Sequence, residues 1–295
     1  MTVTDTRSSR PVLVTGATGR VGRLVVDQLI AAGVPVRALT RRPDSADLPA
    51  DVEVMAGDLT APDTLEGALR GAGAVFLVWT VLAATAPAVI ERIASQAGRL
   101  VLLSAPHQTP HPFFQQPNRL ADLYRYIEQV IAASGVATTI IRPGMFASNT
   151  AMWWSSMIKN GDAVRWPYAQ AESAPIDERD IAAVAARSLL DDVHVGGDYV
   201  LTGPEALTQA DQVRIIGAAI GRRIRFAELS PDEFRTATAG QWPAPAVEML
   251  LAAWGASLGY PAFLTSTVAE ILGTPPRTFE RWAADHTDAF VRNSA

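Results

Sequence analysis

The sequence predicts an α/β fold: a doubly wound parallel sheet followed by a smaller, mostly helical C-terminal lobe. Short apolar runs alternate with segments of helical spacing through the first half of the chain. That alternation is typical of parallel strands joined by right-handed helical crossovers. Several runs, such as residues 101–103, are apolar along their whole length, which fits a sheet covered by helices on both faces.

The individual elements follow in chain order. Strands are predicted at residues 11–15, 34–40, 52–56, 74–79, 100–104 and 138–142. Helices are predicted between them at residues 20–32, 62–69, 86–97 and 119–134. Apolar residues recur in these helices three and four positions apart, as helices packed on a sheet require. Gly33 ends the first helix, and Pro62 opens the second.

Beyond Pro143 the pattern loosens. Helices are predicted at residues 145–160, 177–190, 208–220 and within 231–290, and strands at residues 199–201 and 224–228. We therefore expect a first domain of residues 1–150, to which parts of 175–203 return, and a second lobe of residues 151–295.

Composition narrows the classes of function. The chain has 295 residues, a net charge of -5 and no cysteine, which removes disulfides, thiolate metal sites and cysteine nucleophiles. The negative charge gives no electrostatic case for nucleic-acid binding, and the histidine spacing predicts no metal. No apolar run could span a bilayer, and the polar residues 1–10 lack the apolar stretch of a signal peptide. A cytoplasmic protein without membrane contact is expected.

The turn between the first strand and the first helix carries the most informative motif. Gly16, Gly19 and Gly22 are spaced G-x-x-G-x-x-G. The first glycine permits a tight turn, the second a close approach of the backbone to a pyrophosphate, and the third close helix–sheet packing. Phosphates then meet the positive end of the helix. In this context the motif predicts a dinucleotide site on a Rossmann-type domain, rather than merely a tight turn. The predicted contacts of the turn are Gly16, Thr18, Gly19, Arg20, Val21 and Gly22.

The end of the second strand indicates which dinucleotide is bound. NAD sites usually place an acid there, whereas this chain has Arg41 and Arg42. A guanidinium suits the 2′-phosphate of NADP, so NADP(H) is expected and NAD(H) is less favoured. A solvated basic turn is the alternative.

Two further strand ends are expected to face the cofactor. Asp58 either reaches the adenine, with Leu59 beside the ring, or caps the helix that begins near Pro62. Trp79 and Thr80 end the fourth strand and are expected beside the cofactor, because ligands lie outside the carboxyl ends of parallel strands.

The run Val14 to Gly22 resembles the opening of the atypical short-chain dehydrogenase/reductase family, and within it the NmrA-like NAD(P)H-binding group. Runs at residues 57–59, 128–135, 141–149, 175–181 and 201–208 agree, so the resemblance covers residues 11–226. It implies a doubly wound domain, NADP(H), and reduction of a quinone, enone or ketone. Pro143, on the strand that resembles the one opening the substrate cleft, is expected to contact the cofactor. The group also holds members that sense the NADP redox state and bind proteins without catalysis.

The catalytic positions depart from the family pattern. Typical short-chain dehydrogenases use Tyr-x-x-x-Lys, in which the lysine lowers the pKa of the tyrosine. Here Tyr124 is followed four residues later by Glu128, and the single lysine, Lys159, is distant in sequence. Tyr124 is therefore expected to donate a hydrogen bond as a neutral phenol and not to act as an activated acid. Glu128 either pairs with Arg125 or Arg119 on the helix surface or contacts the nicotinamide ribose.

A serine and two histidines are further candidates for catalytic residues. Ser104 occupies the place of the family's substrate-orienting serine. His107 or His111, in the loop that follows, could supply a proton near neutral pH, unless each is a solvated loop histidine.

The predicted substrate side is apolar and aromatic. A flat hydrophobic substrate, such as an aromatic natural product, suits these side chains, although each of them could belong to the lobe's core. Trp153 and Trp154 are neighbours on a helix, so both are not expected to point into one core. The predicted substrate contacts are Met145, Phe146, Asn149, Trp153, Trp154 and Trp166.

These features favour an NADPH-dependent oxidoreductase that reduces a conjugated or aromatic carbonyl substrate. Because the product anion of a quinone or enone is delocalised, its reduction needs less help from an acid than that of a simple ketone. Two alternatives stay open: a non-catalytic NADP-sensing regulator, and a cofactor-retaining isomerase or epimerase that uses Tyr124 and His107. A monomer or homodimer is expected.

Overall fold

The computed structural model describes residues 10–291, so residues 1–9 of the polar N-terminal segment lie outside the described residues. The strands are β1 (Val12–Val14), β2 (Val36–Thr40), β3 (Glu53–Ala56), β4 (Ala74–Val78), β5 (Leu100–Leu103), β6 (Thr138–Pro143), β7 (Ala163–Trp166), β8 (Glu172–Ser173), β9 (Asp198–Leu201), β10 (Leu207–Thr208) and β11 (Arg225–Glu228). The α-helices are α1 (Arg20–Ala31), α2 (Glu66–Leu69), α3 (Ala86–Gln96), α4 (Arg119–Ser134), α5 (Ser148–Asn160), α6 (Glu178–Leu190), α7 (Gln209–Ala219), α8 (Pro231–Thr238), α9 (Ala244–Ser257), α10 (Thr267–Leu272) and α11 (Phe279–Asp285).

Seven strands form one sheet in the order β3-β2-β1-β4-β5-β6-β9. The pairs from β3 through β6 are parallel. At the β9 edge, the N–H of Ile140 donates to the carbonyl of Gly197 at 2.9 Å, and that of Gly144 to Leu201 at 2.8 Å. The two bonds are four residues apart along both strands in the same direction, so β6 and β9 are also parallel. The strand order reverses between β1 and β4, so the predicted doubly wound fold is confirmed, with a switch point beside the glycine-rich turn.

The central strands are apolar because both faces of the sheet are covered. All residues of β1 and β5 are buried, and side chains from α3 and α4 pack against Leu77 and Leu102 in one core. Helix α6 packs against α1. The strands that were predicted from near-continuous apolar runs are therefore buried between helices, as that prediction requires.

The chain divides into two compact units. The first comprises the described residues up to Ala105, Arg119–Arg142 and Glu178–Tyr199, and the second comprises Pro106–Asn118, Pro143–Asp177 and the residues from Val200 onwards. The first unit is built on the large sheet. The second contains α5 and α7 to α11, with β7 parallel to β11 and β8 antiparallel to β10. The domain boundary at residues 150 and 151 stays a prediction.

The core of the second unit is a cluster of aromatic rings. Trp153 stacks on Trp166 with ring centroids 5.9 Å apart, and Trp154 meets Trp166 edge-on at 6.3 Å. Trp153 and Trp154 are 8% and 0% exposed. The expectation that these neighbours could not share one core is wrong, because residues 100° apart on a helix both fit a broad buried face.

Candidate functional site

The turn between β1 and α1 closes tightly, as its glycine spacing predicts. Gly16 has a φ of +61°, and its carbonyl accepts a hydrogen bond from the N–H of Gly19 at 2.9 Å. A Cβ on Gly22 would lie 2.2 Å from the Gly16 oxygen, a distance that no side chain tolerates. Helix α1 therefore approaches the turn as closely as a glycine permits.

Helix α1 offers the positive end of its dipole at this turn. Gly19 precedes the helix without a side-chain cap, and its first turn contains no acidic residue. The N–H groups that begin a helix have no partner within it and attract anions. The tight glycine turn and this helix end together fit a pyrophosphate, so the residues present suit a bound dinucleotide.

Thr15 fixes the turn to the neighbouring strand, a role that sequence reasoning missed. Its hydroxyl oxygen accepts a hydrogen bond from the N–H of Val78 at 2.8 Å and donates to the carbonyl of Phe76 at 3.2 Å. A threonine directly after an apolar strand was the available signal. These bonds hold the ends of β1 and β4 together beside the switch point.

The side chains expected at the adenosine end lie at the ends of β2 and β3. Arg41 and Arg42 are exposed, and within the described part of the chain no carboxylate pairs with either guanidinium. Asp58 accepts a hydrogen bond from the N–H of Thr60 at 2.8 Å. The backbone and then the side chain of Thr60 hold the pKa of Asp58 below its ordinary value, and the charge of Arg41 lowers it further.

The alternative that Asp58 caps the helix near Pro62 is wrong. Ala61 stands at that helix's N-cap without a side-chain bond, because the Asp58 carboxylate is engaged in the tight turn before it. Contact of Asp58 with adenine stays a prediction. Leu59 is buried in the core, and its carbonyl accepts a hydrogen bond from the Thr85 hydroxyl at 2.8 Å.

Trp79 and Thr80 differ in what they can offer a ligand. Trp79 is buried in the core of the first unit, and its indole N–H donates to the carbonyl of Val81 at 2.7 Å. Thr80 is exposed. The predicted cofactor contact at this strand end therefore suits the Thr80 side chain better than the indole of Trp79.

Tyr124 lies on α4 with its ring in the core. It is 9% exposed, and its hydroxyl lies 3.5 Å from the carbonyl of Trp79. Burial raises the pKa of the Tyr124 hydroxyl above its ordinary value. The residue is therefore a neutral phenol at physiological pH, as the missing lysine predicts.

Glu128, in the place of that lysine, forms a buried ion pair. Its two carboxylate oxygens accept hydrogen bonds from the guanidinium of Arg142 at 2.6 and 2.8 Å. Arg142 is 2% exposed, and it also contacts Asp198 at 2.6 Å and the carbonyl of Ala105 at 3.1 Å. Burial opposes the charge of Arg142, but its bonds to Glu128 and Asp198 outweigh burial and keep its pKa above the ordinary value.

The expected surface pairing of Glu128 with Arg125 or Arg119 is wrong. Arg125 pairs instead with Asp122, at 2.7 Å on the exposed side of α4, while Glu128 faces the sheet. Arg142 was the signal that sequence reasoning missed. An arginine within a buried strand needs a carboxylate partner, and Glu128 supplies it.

The same network engages Ser104. Its hydroxyl donates a hydrogen bond to the carboxylate of Glu128. A serine hydroxyl has one proton to donate, so in this arrangement Ser104 can only accept a hydrogen bond from a further group. To orient a substrate carbonyl, as predicted, the Ser104 hydroxyl would have to break its bond to Glu128 and donate to the substrate instead.

The two loop histidines belong to the second unit. His107 is half-buried, and His111 is 7% exposed. The expectation of a solvated loop histidine at position 111 is wrong. Its Nδ1 accepts a hydrogen bond from the N–H of Phe113 at 3.3 Å, and its Nε2 lies 3.1 Å from the carbonyl of Pro261. Proton donation by His107 stays a prediction.

The predicted substrate residues fall into two groups. Trp153, Trp154 and Trp166 are buried in the aromatic core. Met145 lines a pocket, and the amide of Asn149 lies 3.1 Å from its sulfur. The half-buried Phe146 pairs with Ile176 in a short bridge. The contacts of these residues with substrate stay predictions. Pro143 is buried at the end of β6, and its contact with the cofactor likewise stays a prediction.

This pocket lies within the second unit. Its enclosed volume is only about 10 Å³, roughly the room that one water molecule needs, and it opens to solvent. Aromatic rings and small residues form most of its walls, with a carboxylate and two hydroxyls among them. The lining residues are His111, Phe113, Phe114, Gly144, Met145, Glu172, Ser173, Ala174, Thr202, Ala262 and Phe263.

The structure also bears on ions and membranes. Within residues 10–291, no group of three or more carboxylates and imidazoles is arranged to hold a metal ion. No helix in that range has both the length and the apolar character needed to cross a bilayer.

A family model described as NAD(P)H-binding matches residues 16–192. The chain is 37% identical to a (4-alkanoyl-5-oxo-2,5-dihydrofuran-3-yl)methyl phosphate reductase of Streptomyces griseus, over 95% of this chain and 99% of the relative. It is 32% identical to an NAD(P)H azoreductase of Xenophilus azovorans, over 95% and 99%. The NADPH complex of the Escherichia coli quinone oxidoreductase QOR2 superposes with a TM-score of 0.79 at 24% identity, over 93% and 99%.

The fold, the glycine-rich turn and these similarities define a dinucleotide-dependent oxidoreductase. The chain belongs to the NAD(P)H-binding family whose model it matches, and its fold is the one that solved structures of the NmrA-like group share. It is an enzyme, and its cofactor is NAD(P)H. The resemblance stated from the residues is therefore confirmed.

Proposed function

We propose that this oxidoreductase uses NADPH to reduce a flat, conjugated acceptor such as a quinone or an enone. The ion pair between Glu128 and Arg142 is the observation that carries the proposal. It occupies the position from which a lysine would activate Tyr124, and the pKa of the Tyr124 hydroxyl is raised, not lowered. A substrate that needs little acid assistance suits such a site.

The chemistry follows from this limited proton supply. When bound, NADPH supplies a hydride. Reduction of a simple ketone leaves a localised alkoxide, which requires a proton donor at once. A quinone or enone leaves a delocalised anion that water can protonate later. The chain's own residues then need only to bind the reactants, orient them and exclude competing water.

The names of the relatives support the same class of acceptor. The Streptomyces griseus enzyme reduces an alkanoyl dihydrofuranone, in which a carbon–carbon double bond is conjugated with carbonyl groups. The other two names specify an azo compound and a quinone. Each of these acceptors is conjugated, although they differ in the atoms that are reduced.

Cofactor preference rests on Arg41 and Arg42. Both side chains are exposed at the end of β2, where an NAD-specific site would place an acid. We expect tighter binding of NADPH than of NADH, and Arg41→Ala should lower NADPH affinity while leaving NADH affinity nearly unchanged. Fluorescence titration with both cofactors tests this expectation. Equal affinities in the native protein would contradict it.

A substrate panel tests the reaction itself. NADPH oxidation is followed at 340 nm (an absorbance that this dinucleotide loses on oxidation) with a quinone, an enone, an azo compound and cyclohexanone. We expect turnover with conjugated acceptors and little with cyclohexanone. Faster reduction of cyclohexanone than of every conjugated acceptor would refute the proposal. Product formation without net NADPH loss would indicate an isomerase.

A further inference from the structure

We propose that Leu82 is a cofactor-binding residue that covers the adenine ring of the bound dinucleotide. It lies in the segment of residues 79–85 that joins β4 to α3, called the β4–α3 connection below. The proposal concerns the binding of NAD(P)H and does not depend on which acceptor the enzyme reduces. Three observations carry it: the exposure of Leu82, two hydrogen bonds that hold the connection, and the place of the connection in the fold.

Leu82 presents a large apolar side chain to solvent. Among the large apolar residues of the described range, 10–291, it has the greatest exposed fraction, 85%. Its neighbours differ, because Trp79 is buried in the core of the first unit and Val81 packs against that core. A single exposed leucine needs no explanation on an arbitrary part of a surface. Leu82, however, follows a strand whose carboxyl end borders the ligand site, so a bound ligand can bury it.

Two hydrogen bonds hold the connection, one on either side of Leu82. Before it, the indole N–H of Trp79 donates to the carbonyl of Val81 at 2.7 Å. After it, the hydroxyl of Thr85 donates to the carbonyl of Leu59 at 2.8 Å. The backbone that carries Leu82 is therefore ordered before a ligand arrives. Binding then loses less conformational entropy than it would if the ligand had to order this segment.

The bond between Thr85 and Leu59 also indicates which half of the cofactor Leu82 contacts. Leu59 follows β3, and the sheet order β3-β2-β1-β4 places β2 and β1 between β3 and β4. The pyrophosphate is expected at the turn after β1, and the adenosine half at the end of β2. Because the β4–α3 connection is bonded to the loop after β3, it borders the adenosine side of the turn. Leu82 therefore belongs to the adenosine half of the site and not to the nicotinamide half.

Adenine has the chemistry that suits an exposed leucine. Its two faces are flat and apolar, and its hydrogen-bonding atoms lie at the edge of the ring, so a leucine packs on a face without displacing a hydrogen bond. Arg41 and Asp58, at the neighbouring strand ends, are charged and offer no such apolar surface. The contact of Leu82 is the same for NADPH and NADH, since both contain adenine, whereas Arg41 is expected to distinguish them.

Removing the side chain beyond Cβ should weaken cofactor binding by a measurable factor. An adenine face covers one side of a leucine, so about half of the side chain becomes buried. Leu82→Ala is therefore expected to weaken NADPH binding about five- to tenfold. Leu82→Met keeps the size and the apolar character, so it should retain most of the native affinity. Because Leu82 is exposed, both variants should fold as the native protein does.

Three ligands locate the contact. NADPH, NADH and ADP-ribose all contain adenine, but NADH lacks the 2′-phosphate and ADP-ribose lacks the nicotinamide. Their dissociation constants for the native chain and for Leu82→Ala are measured by isothermal titration calorimetry, with competition against NADPH for the weaker ligands. We expect Leu82→Ala to weaken all three by the same factor. Three unchanged constants, or a loss that spares ADP-ribose or NADH, would overturn the proposal.

Leu190→Ala is the matched control, because it makes the same substitution at a leucine that is 45% exposed. Leu190 ends α6, which leads into β9, so it lies at the amino ends of the parallel strands and away from the ligand site. All three constants should stay as in the native protein. If Leu190→Ala weakened the ligands as much as Leu82→Ala does, the effect would not be a contact of Leu82. Neither result depends on whether a conjugated acceptor is reduced, since no acceptor is present.

Discussion

Replacing Glu128 by lysine would restore the Tyr-x-x-x-Lys spacing, yet we expect Glu128→Lys to damage the protein. Arg142 is 2% exposed, and its guanidinium donates hydrogen bonds to both oxygens of the Glu128 carboxylate. The substitution removes that partner and places a second positive charge beside it. Asp198 is the remaining carboxylate, and its side chain is 46% exposed.

The magnitude follows from the cost of breaking a buried pair. Loss of one partner of such a pair typically costs about 3–5 kcal/mol in the free energy of unfolding. Asp198 offsets part of this cost, whereas repulsion from the new ammonium adds to it, so we expect at least about 3 kcal/mol. Whole domains are stable by only about 5–15 kcal/mol, so the variant should be severely weakened. Glu128→Gln keeps a hydrogen-bond acceptor, so its free energy of unfolding should lie between those of the native protein and Glu128→Lys.

Urea unfolding at pH 7 measures the effect, with NADPH binding as a second readout. Asp122→Lys is the matched control, because Asp122 lies on the same helix in an exposed pair with Arg125. It should cost at most about 1 kcal/mol. A Glu128→Lys protein as stable as the native one, or one with increased reduction of simple ketones, would refute this account of the network.

Three further results are expected. Gly22→Ala should abolish NADPH binding or cost about 1–3 kcal/mol in the free energy of unfolding, because the new Cβ would lie 2.2 Å from the Gly16 oxygen. Gly67→Ala, whose Cβ would lie 3.5 Å from its nearest neighbour, should do neither. NADPH titration and urea unfolding curves of Gly22→Ala that match those of the native protein would contradict the tight turn. Tyr124→Phe should change the rate of quinone reduction by less than about tenfold, while a drop of about 10² or more would identify Tyr124 as an essential acid. Burial lowers the pKa of His194, so below about pH 6.5 the unfolded chain binds more protons than the folded chain. The free energy of unfolding should therefore fall as the pH drops from 7 to 5. If His194→Asn leaves the slope of the unfolding free energy against pH unchanged, His194 makes no such contribution.

The sheet was predictable because local and long-range requirements coincide in it. Leu102 is apolar both because strands favour such residues and because helices cover both faces of β5. The glycine-rich turn was predictable for a similar reason, since Gly22 is required by contacts within seven residues of sequence. The strands β7, β8 and β10 were missed. They have two to four residues each, too few to show a period.

Contacts between residues distant in sequence explain the remaining errors. The partner of Glu128 lies on a different element, and local spacing pointed instead to Arg125. His111 was expected in solvent because it lies in a loop, yet its Nε2 lies 3.1 Å from the carbonyl of Pro261, 150 residues away.

The distribution of tryptophan makes the two units optically distinguishable. Six of the seven indoles lie in the second unit, and Trp79 belongs to the first. Trp166 has Trp153, Trp154, Trp242 and Trp254 within 6.3 Å, so excitation should migrate among these rings before emission. Intrinsic fluorescence therefore reports mainly the melting of the second unit. In a Trp79→Phe protein the tryptophan emission would report that unit alone, whereas circular dichroism would report the helices of both units together.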